Sequence, residues 1–132
     1  MYEFHGWIKL SESPSEMDEG GVDQKVKKLK NELSSFGWSS GRCEILLMNG
    51  AYTLVLNATP NRRRTEAEDL QKVVSIVTKD FAGAYGLIYE YDEQASTEYG
   101  RGVFSVRVIK RGKCEIFLDP FLSPVIPVVE DE

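Results

Sequence analysis

The spacing of apolar residues along the chain changes repeatedly, and this succession constrains the fold more than any other feature. Near the N-terminus, apolar residues recur at every second position, as in a half-buried strand. In two later stretches, 22–36 and 66–82, they recur every three or four positions, as along one face of an amphipathic helix. The pattern predicts β-α-β-β-α-β followed by two further strands, with the six strands at residues 2–10, 43–48, 51–56, 85–91, 103–109 and 114–118.

Turn and cap residues fall between these stretches. Asn49-Gly50 separates two strand-like runs, and this pair tolerates the positive φ angles of a tight hairpin turn. Residues 110–113, Lys-Arg-Gly-Lys, predict a second tight turn. Thr65 and Glu68 have the spacing of a capping box at a helix start. Gly37 stands where a left-handed cap would end the first helix.

The order of elements predicts an α+β fold with ferredoxin-like β-α-β-β-α-β connectivity and a C-terminal β-hairpin extension. Right-handed crossovers put both helices on one face of an antiparallel sheet. The usual strand order is four, one, three, two, and the last hairpin then extends the sheet beside the fourth strand. We expect residues 1–132 to form a single domain, in which 119–132 are an extended, proline-rich and acidic tail. The other face of the sheet is left bare or is covered by this tail.

Length and charge exclude several classes of protein. A chain of 132 residues has the size of one domain and needs neither a disulfide nor a metal for a core. Its net charge of −5 is unfavourable for direct nucleic-acid binding and for anionic membranes. Residues 1–10 lack an apolar signal core, so we expect a cytoplasmic protein. Cys43 and Cys114 are expected to be reduced, although the sequence leaves a disulfide open.

The chain lacks recognisable catalytic motifs. His5 is the single histidine and has no assigned partner for nucleophilic catalysis. The acidic residues at 16–19 lack calcium-loop spacing, and the glycines at 100–102 are not a phosphate loop. We therefore predict no catalytic residues, no metal, no cofactor and no enzymatic activity. Arginines 62–64 precede a helix start; they are either solvated or bind an anion or partner.

A mixture of aromatic and acidic residues gives the candidate binding site. Trp7 lies on the strand face opposite Phe4 and Ile8, and the tyrosines of the fourth strand share one parity. Tyrosine supplies rigid contact area, and carboxylates attract a basic partner. Alternatively, the tyrosines support the sheet, the tail packs over them, or paired carboxylates act as acid and base. The predicted protein-binding residues are Trp7, Tyr89, Tyr91, Asp92, Glu93 and Glu98.

Three segments carry a resemblance to a known family: Tyr2-Glu-Phe-His-Gly-Trp7, Gly86-Leu-Ile-Tyr-Glu-Tyr-Asp-Glu93 and Asp119-Pro-Phe-Leu-Ser-Pro124. The chain resembles the immunity protein seven family of bacterial polymorphic-toxin and contact-dependent growth inhibition systems. The resemblance implies a cytosolic antitoxin that binds the C-terminal toxin domain of a cognate effector, often a basic nuclease. No catalytic residues carry over from the family to this sequence, and the resemblance leaves the oligomeric state open. The alternative is a ferredoxin-like regulatory domain that binds a small molecule.

Overall fold

Strands and helices follow one another along the chain in the predicted order. The computed structural model describes residues 2–11, 21–60, 65–92 and 103–122. The elements of these residues are β1 (Tyr2–Lys9), α1 (Val22–Leu33), β2 (Gly41–Met48), β3 (Ala51–Ala58), α2 (Thr65–Asp80), β4 (Tyr85–Asp92), β5 (Phe104–Lys110) and β6 (Lys113–Leu118). None of the helices described is long and apolar enough to cross a membrane.

The described strands form one open antiparallel sheet with the order β2-β3-β1-β4-β5-β6. Within it, β1 lies between β3 and β4, β2 pairs with β3, and the β5–β6 hairpin lies beside β4. Both predicted tight turns are present. Asn49 and Gly50 have φ values of 52° and 79°, and Arg111 and Gly112 have values of 51° and 73°. These angles match the right-handed twist of the strands that the turns join.

Both helices lie over the same face of the sheet, here called the helix face. The Tyr52 hydroxyl of β3 donates to Asp23 of α1 at 2.7 Å. Arg107 of β5 donates to Gln71 of α2 at 2.8 Å. The strand register places Tyr52 and Arg107 on the same face. Apolar side chains from both helices and this face form one core, which includes Phe4, Ile8, Val26, Leu29, Leu54, Leu56, Leu70, Val73, Val77, Ile88 and Ile109.

The first helix is shorter than its apolar spacing predicts. It ends at Leu33 rather than at residue 36, and Gly37 does not have the positive φ of a left-handed cap. Ser34 and Ser35 donate their hydroxyls to carbonyl oxygens of the last helical turn, at 2.6 and 2.7 Å. Serine side chains compete with the backbone in this way and favour helix ends. Phe36 therefore packs against the core from a loop.

Phe36 and Trp38 connect the loop that follows α1 to the core and to α2. The rings of Phe36 and Trp38 stack with centroids 5.7 Å apart, and Trp38 meets Phe4 edge-on at 5.3 Å. The Trp38 indole nitrogen donates to the Asp69 carboxylate at 2.8 Å. The second helix ends at Asp80 rather than at residue 82, and Phe81, the next residue, is fully buried in the core.

Candidate protein-binding site

The face of the sheet opposite the helices carries the candidate site, and we call it the open face. No described helix covers it. Along each strand the side chains alternate between the two faces, so the register fixes which residues share it. The apolar members that β1, β4, β5 and β6 contribute to it are Trp7, Tyr85, Leu87, Tyr89, Tyr91, Phe104, Val106, Val108 and Phe117. On β3 and β2 the same face carries Val55, Leu46 and Met48.

Four of the aromatic rings of this face form two pairs. Trp7 and Tyr85 meet edge-on, with centroids 6.1 Å apart and planes at 89°. Tyr91 and Phe104 lie 5.0 Å apart at 35°. Trp7, Tyr85 and Phe117 keep 41%, 50% and 49% of their surface exposed. Aromatic side chains that remain this accessible on one face are typical of protein-binding surfaces.

The register brings three of the predicted site residues together. Trp7 of β1 lies opposite Leu87 of β4, and the next open-face residues of β4 are Tyr89 and Tyr91. Tyr89 lies opposite His5. Trp7, Tyr89 and Tyr91 therefore belong to one surface. Strand parity alone did not fix which face the fourth strand presents.

The predicted acidic residues do not share this placement. Asp92 pairs with Tyr2, whose side chain is buried on the helix face, so Asp92 lies on the opposite side of β4 from Tyr91. Glu93 and Glu98 fall outside the residues that the structure describes. The acidic rim that Glu93 and Glu98 would form next to the tyrosines therefore stays a prediction.

The carboxylate of Glu90 is bonded to buried neighbours on the helix face. It accepts a hydrogen bond from the buried Tyr2 hydroxyl and pairs with Arg107 at 3.2 Å. The two paired side chains are only 10% and 6% exposed. Because Glu90 lies in the core and Asp92 at the strand end, they do not form the exposed pair that acid–base chemistry needs.

The side chain of His5 is held on the open face by polar neighbours. Its Nε2 lies 2.6 Å from a Glu3 carboxylate oxygen, and its Nδ1 contacts the Asn57 amide oxygen. No group of His, Cys, Asp and Glu able to hold a metal ion occurs among the residues described.

The cysteines are free and lie on strands at opposite edges of the sheet. Five strand spacings of about 4.8 Å separate these edge strands, too far for a disulfide within the chain. Burial, with smaller contributions from Asp69 and Glu44, raises the pKa of the Cys43 thiol to about 12. Burial also raises the pKa of Cys114. Thiols in this state are poor nucleophiles.

One feature of the open face has no counterpart in the sequence-based predictions. Lys9, Lys110 and Lys113 lie in one row across β1, β5 and β6, with Tyr85 of β4 between the first two. All three are exposed, and none forms an ion pair within the part of the chain that the structure describes. Two of them flank a predicted turn, but only the strand register shows that Lys9 joins them. We call these residues the lysine row.

Comparison with known proteins gives the family. The sequence model of one family, described as Immunity protein 7, matches residues 1–131. Searches of curated proteins and of solved structures found no match. The family match covers nearly the whole chain and all the described strands and helices. The chain therefore belongs to the immunity protein 7 family.

Proposed function

We propose that this immunity protein binds a cognate bacterial toxin domain directly and neutralises it in the cytoplasm, without catalysis or a cofactor of its own. The family match over residues 1–131 is the observation that carries this proposal. It favours neutralisation over the small-molecule regulatory alternative. We also propose that the first four strands and two helices form the ferredoxin-like arrangement, which the strand order supports.

The proposed toxin-binding site includes Trp7, Tyr89, Tyr91, Asp92, Glu93 and Glu98. Two aromatic pairs on an accessible sheet face support the aromatic part of this site. In protein interfaces, a few large aromatic residues usually supply most of the binding free energy. Asp92 lies at the end of the strand that carries the tyrosines, and the acidic residues would form the rim.

The proposed partner is a basic toxin domain, in particular a nuclease. A nuclease binds nucleic acid through a positively charged surface, and the net charge of −5 on this chain attracts such a surface. Complementary charge mainly accelerates association, and salt screens it.

Copurification with the toxin domain encoded next to this protein tests the proposed function. A stable complex that abolishes the toxin's activity is the expected result. Absence of both binding and protection at micromolar concentrations would contradict the proposal.

The aromatic part of the site is tested with Tyr91→Ala. We expect dissociation from the toxin to accelerate at least about tenfold, as for a residue of central binding importance. The matched control is Ile116→Ala, because Ile116 is 60% exposed but lies on the helix face. Equal dissociation rates for the two variants would remove Tyr91 from the interface, and thermal melting of each variant shows whether the fold is intact.

The acidic rim is tested by reversing two charges. Asp92→Lys with Glu93→Lys should slow association, and the defect should shrink as salt is added. Glu32→Lys with Glu68→Lys changes the net charge equally but alters exposed residues of the two helices. If both double variants associate at the same rate, the effect comes from net charge alone and the proposed rim is wrong.

A further inference from the structure

We propose that two copies of this chain pair through their outer β6 strands and form a symmetric dimer with one continuous sheet. The two strands run antiparallel, and Ile116 lies opposite Ile116 of the partner subunit on the two-fold axis. This inference goes beyond the proposed function, because it concerns the free protein and an edge of its sheet rather than a toxin.

The outer edge of β6 presents main-chain groups at every second residue. No described strand pairs with this edge. The Asp119 N–H donates to the Phe104 carbonyl at 2.9 Å, and these two residues continue the register of β5 and β6. Hydrogen-bonded pairs alternate along an antiparallel ladder. The main-chain groups of the odd-numbered residues of β6 therefore point to β5, and those of Cys114, Ile116 and Leu118 point outward.

The side chains along this edge are apolar and exposed. Ile116, Phe117 and Leu118 keep 60%, 49% and 39% of their surface exposed, and Phe121 and Leu122 just beyond the strand are exposed as well. Edge strands that remain unpaired usually carry charges, a proline or a bulge that blocks a further strand. The strand β6 contains no proline, its pairing with β5 has no bulge, and its single lysine is its first residue. This edge therefore suits pairing with another strand.

Charge excludes three of the six possible positions of the two-fold axis. Residues that lie opposite each other in an antiparallel pair point to the same face, so the axis passes through one residue of β6. An axis at Lys113 or at Glu115 would place two like charges directly opposite each other. An axis at Phe117 would place Glu115 opposite the partner's Asp119, which also brings like charges together.

Backbone geometry excludes two further positions. An axis at Cys114 would pair Ile116 with the partner's Gly112, but Gly112 has a φ of 73° and belongs to the turn. The pairing would then end after three residues. An axis at Leu118 would pair Ile116 with the partner's Pro120, which has no N–H to donate. Only the axis at Ile116 pairs residues 114–118 of both chains without these conflicts.

This register joins the two edges by main-chain bonds and by apolar contact. The central Ile116 pair and the two pairs of Cys114 with Leu118 each exchange two main-chain hydrogen bonds. Their side chains share the helix face, where Ile116 and Leu118 of both chains meet. At each end of the pairing, Lys113 lies opposite the partner's Asp119, so the charges at these positions are complementary.

The other edge of the sheet is less suited to a second copy. The strand β2 also exposes apolar residues, among them Leu47. The helix that packs next to β2 is α1, whose exposed residues include Lys27, Lys28 and Lys30. Two-fold pairing of β2 would bring two such helices side by side, and their like charges would repel each other. The dimer therefore uses β6.

Sedimentation velocity of the full-length protein, at concentrations from about 1 to 300 µM, tests for the dimer directly. An interface built on one short strand is small, so we expect a reversible dimer with a dissociation constant of about 10–100 µM. A protein that stays monomeric over the whole range would show that another part of the chain covers this edge or that nothing does. Either result would overturn the inference.

A charge on the two-fold axis tests which edge is used. Ile116→Lys places two ammonium groups opposite each other and should raise the dissociation constant of the dimer at least about tenfold. The matched control is Leu47→Lys, because Leu47 is 64% exposed and lies on the helix face of the other edge strand. It should leave the dimer unchanged. If Leu47→Lys weakens the dimer as much as Ile116→Lys does, or if neither weakens it, the inference is wrong.

Disulfide formation tests the register and does not depend on a loss of binding. The Cα atoms of a hydrogen-bonded pair lie about 5.5 Å apart, a distance that a disulfide can span. In a Cys43→Ala background, Leu118→Cys should therefore cross-link under mild oxidation to Cys114 of the partner subunit. The same two positions within one chain are separated by four strand residues, or about 13 Å, which is too far for a disulfide.

Two controls accompany the cross-linking. Cys43→Ala alone keeps Cys114 on the edge and should give no disulfide-linked dimer, because this register separates the two copies of Cys114. Leu47→Cys in the same background reports random collision of exposed thiols, and it should cross-link at least about tenfold more slowly than Leu118→Cys. Equal rates for these two variants, or a disulfide between two copies of Cys114, would contradict the pairing.

The dimer and the toxin proposal can fail separately, because all these measurements are made without a toxin. A protein that dimerises through β6 but does not protect against the toxin contradicts only the proposed function. A monomer that protects against the toxin contradicts only the inference about β6.

Discussion

At the residue scale, Glu90 and Arg107 form a buried ion pair. It lies on the helix face under α2, where Tyr2 and Gln71 also hydrogen-bond to it. Arg107 Nε has no hydrogen-bond partner among the described residues. Removing charges from water is costly, and a buried pair is stable only while both members are present. The free energy of unfolding should therefore fall more when one partner is lost than when both partners are replaced.

We expect Arg107→Met to lower the free energy of unfolding by about 3–5 kcal/mol, because it leaves the Glu90 carboxylate buried without its cation. Arg107→Met combined with Glu90→Gln should lower the free energy of unfolding by clearly less. Urea denaturation of the wild type, both single variants and the double variant measures the coupling. A double variant as unstable as the sum of the single variants would show that the charges are not coupled.

The Cys43 thiol gives a prediction about pH. Its pKa is raised from 9.0 to about 12, so the folded protein keeps a proton that the unfolded chain releases near pH 9. The stability that this group contributes is fully present below pH 9 and is lost as pH rises toward 12. At pH 8 the folded thiol should react with a thiol reagent at least about 100-fold more slowly than the same thiol in urea.

The measurement uses Cys114→Ala, so that Cys43 is the single cysteine. Comparable labelling rates in the folded and unfolded states would contradict the raised pKa. Cys43→Ala, which leaves Cys114, reports separately on the second thiol.

Central and edge strands differ at the scale of elements. The central strands β1 and β4 carry fully buried residues such as Phe4 and Ile88, whereas β2 and β6 expose Leu47 and Ile116. The pairing of β1 with β4 also requires close backbone approach. A Cβ added to Gly86 would lie 2.1 Å from the Trp7 carbonyl oxygen and 2.6 Å from the Ile8 Cα. Glycine in this strand therefore marks close backbone contact.

We expect Gly86→Ala to lower the free energy of unfolding by about 2 kcal/mol or more, because the two central strands must move apart. Gly37→Ala is the matched control, since a Cβ there meets nothing within 4 Å and the residue lies outside the strands. It should change stability by no more than about 0.5 kcal/mol. Thermal melts of both variants compare the effects, and equal losses would contradict the close approach of β1 and β4.

At the scale of the whole molecule, the buried apolar side chains of the described residues form a single core. The cluster of buried apolar residues includes members of both helices and of four strands. A domain with one continuous core usually unfolds in one cooperative step.

We therefore expect far-UV circular dichroism and tryptophan fluorescence to report the same melting midpoint. Val77→Asp should lower both midpoints together and cost several kcal/mol, because Val77 is 0% exposed and the charge would be unpaired. Ser75→Asp, on the exposed side of the same helix, should leave both midpoints nearly unchanged. Separate transitions for the two probes would show that the helices and the sheet unfold independently.

The sequence by itself determined the order of the elements, both tight turns and the alternation that places Trp7 opposite Phe4. These properties are local: apolar spacing reports the secondary structure, and Asn49-Gly50 permits the required backbone angles. The sequence also carried the family resemblance, because its segments are continuous in the chain.

Only the tertiary structure decided where α1 ends, which side of β4 carries Asp92, and what Glu90 pairs with. The end of α1 depends on Ser34 and Ser35 competing for backbone carbonyls, which the apolar spacing does not report. Glu90 and Arg107 meet because β4 and β5 pair in one particular register. Lys9 joins Lys110 for the same reason, across about 100 residues of chain. Register between distant strands is a property of packing, and a single sequence read along its length does not contain it.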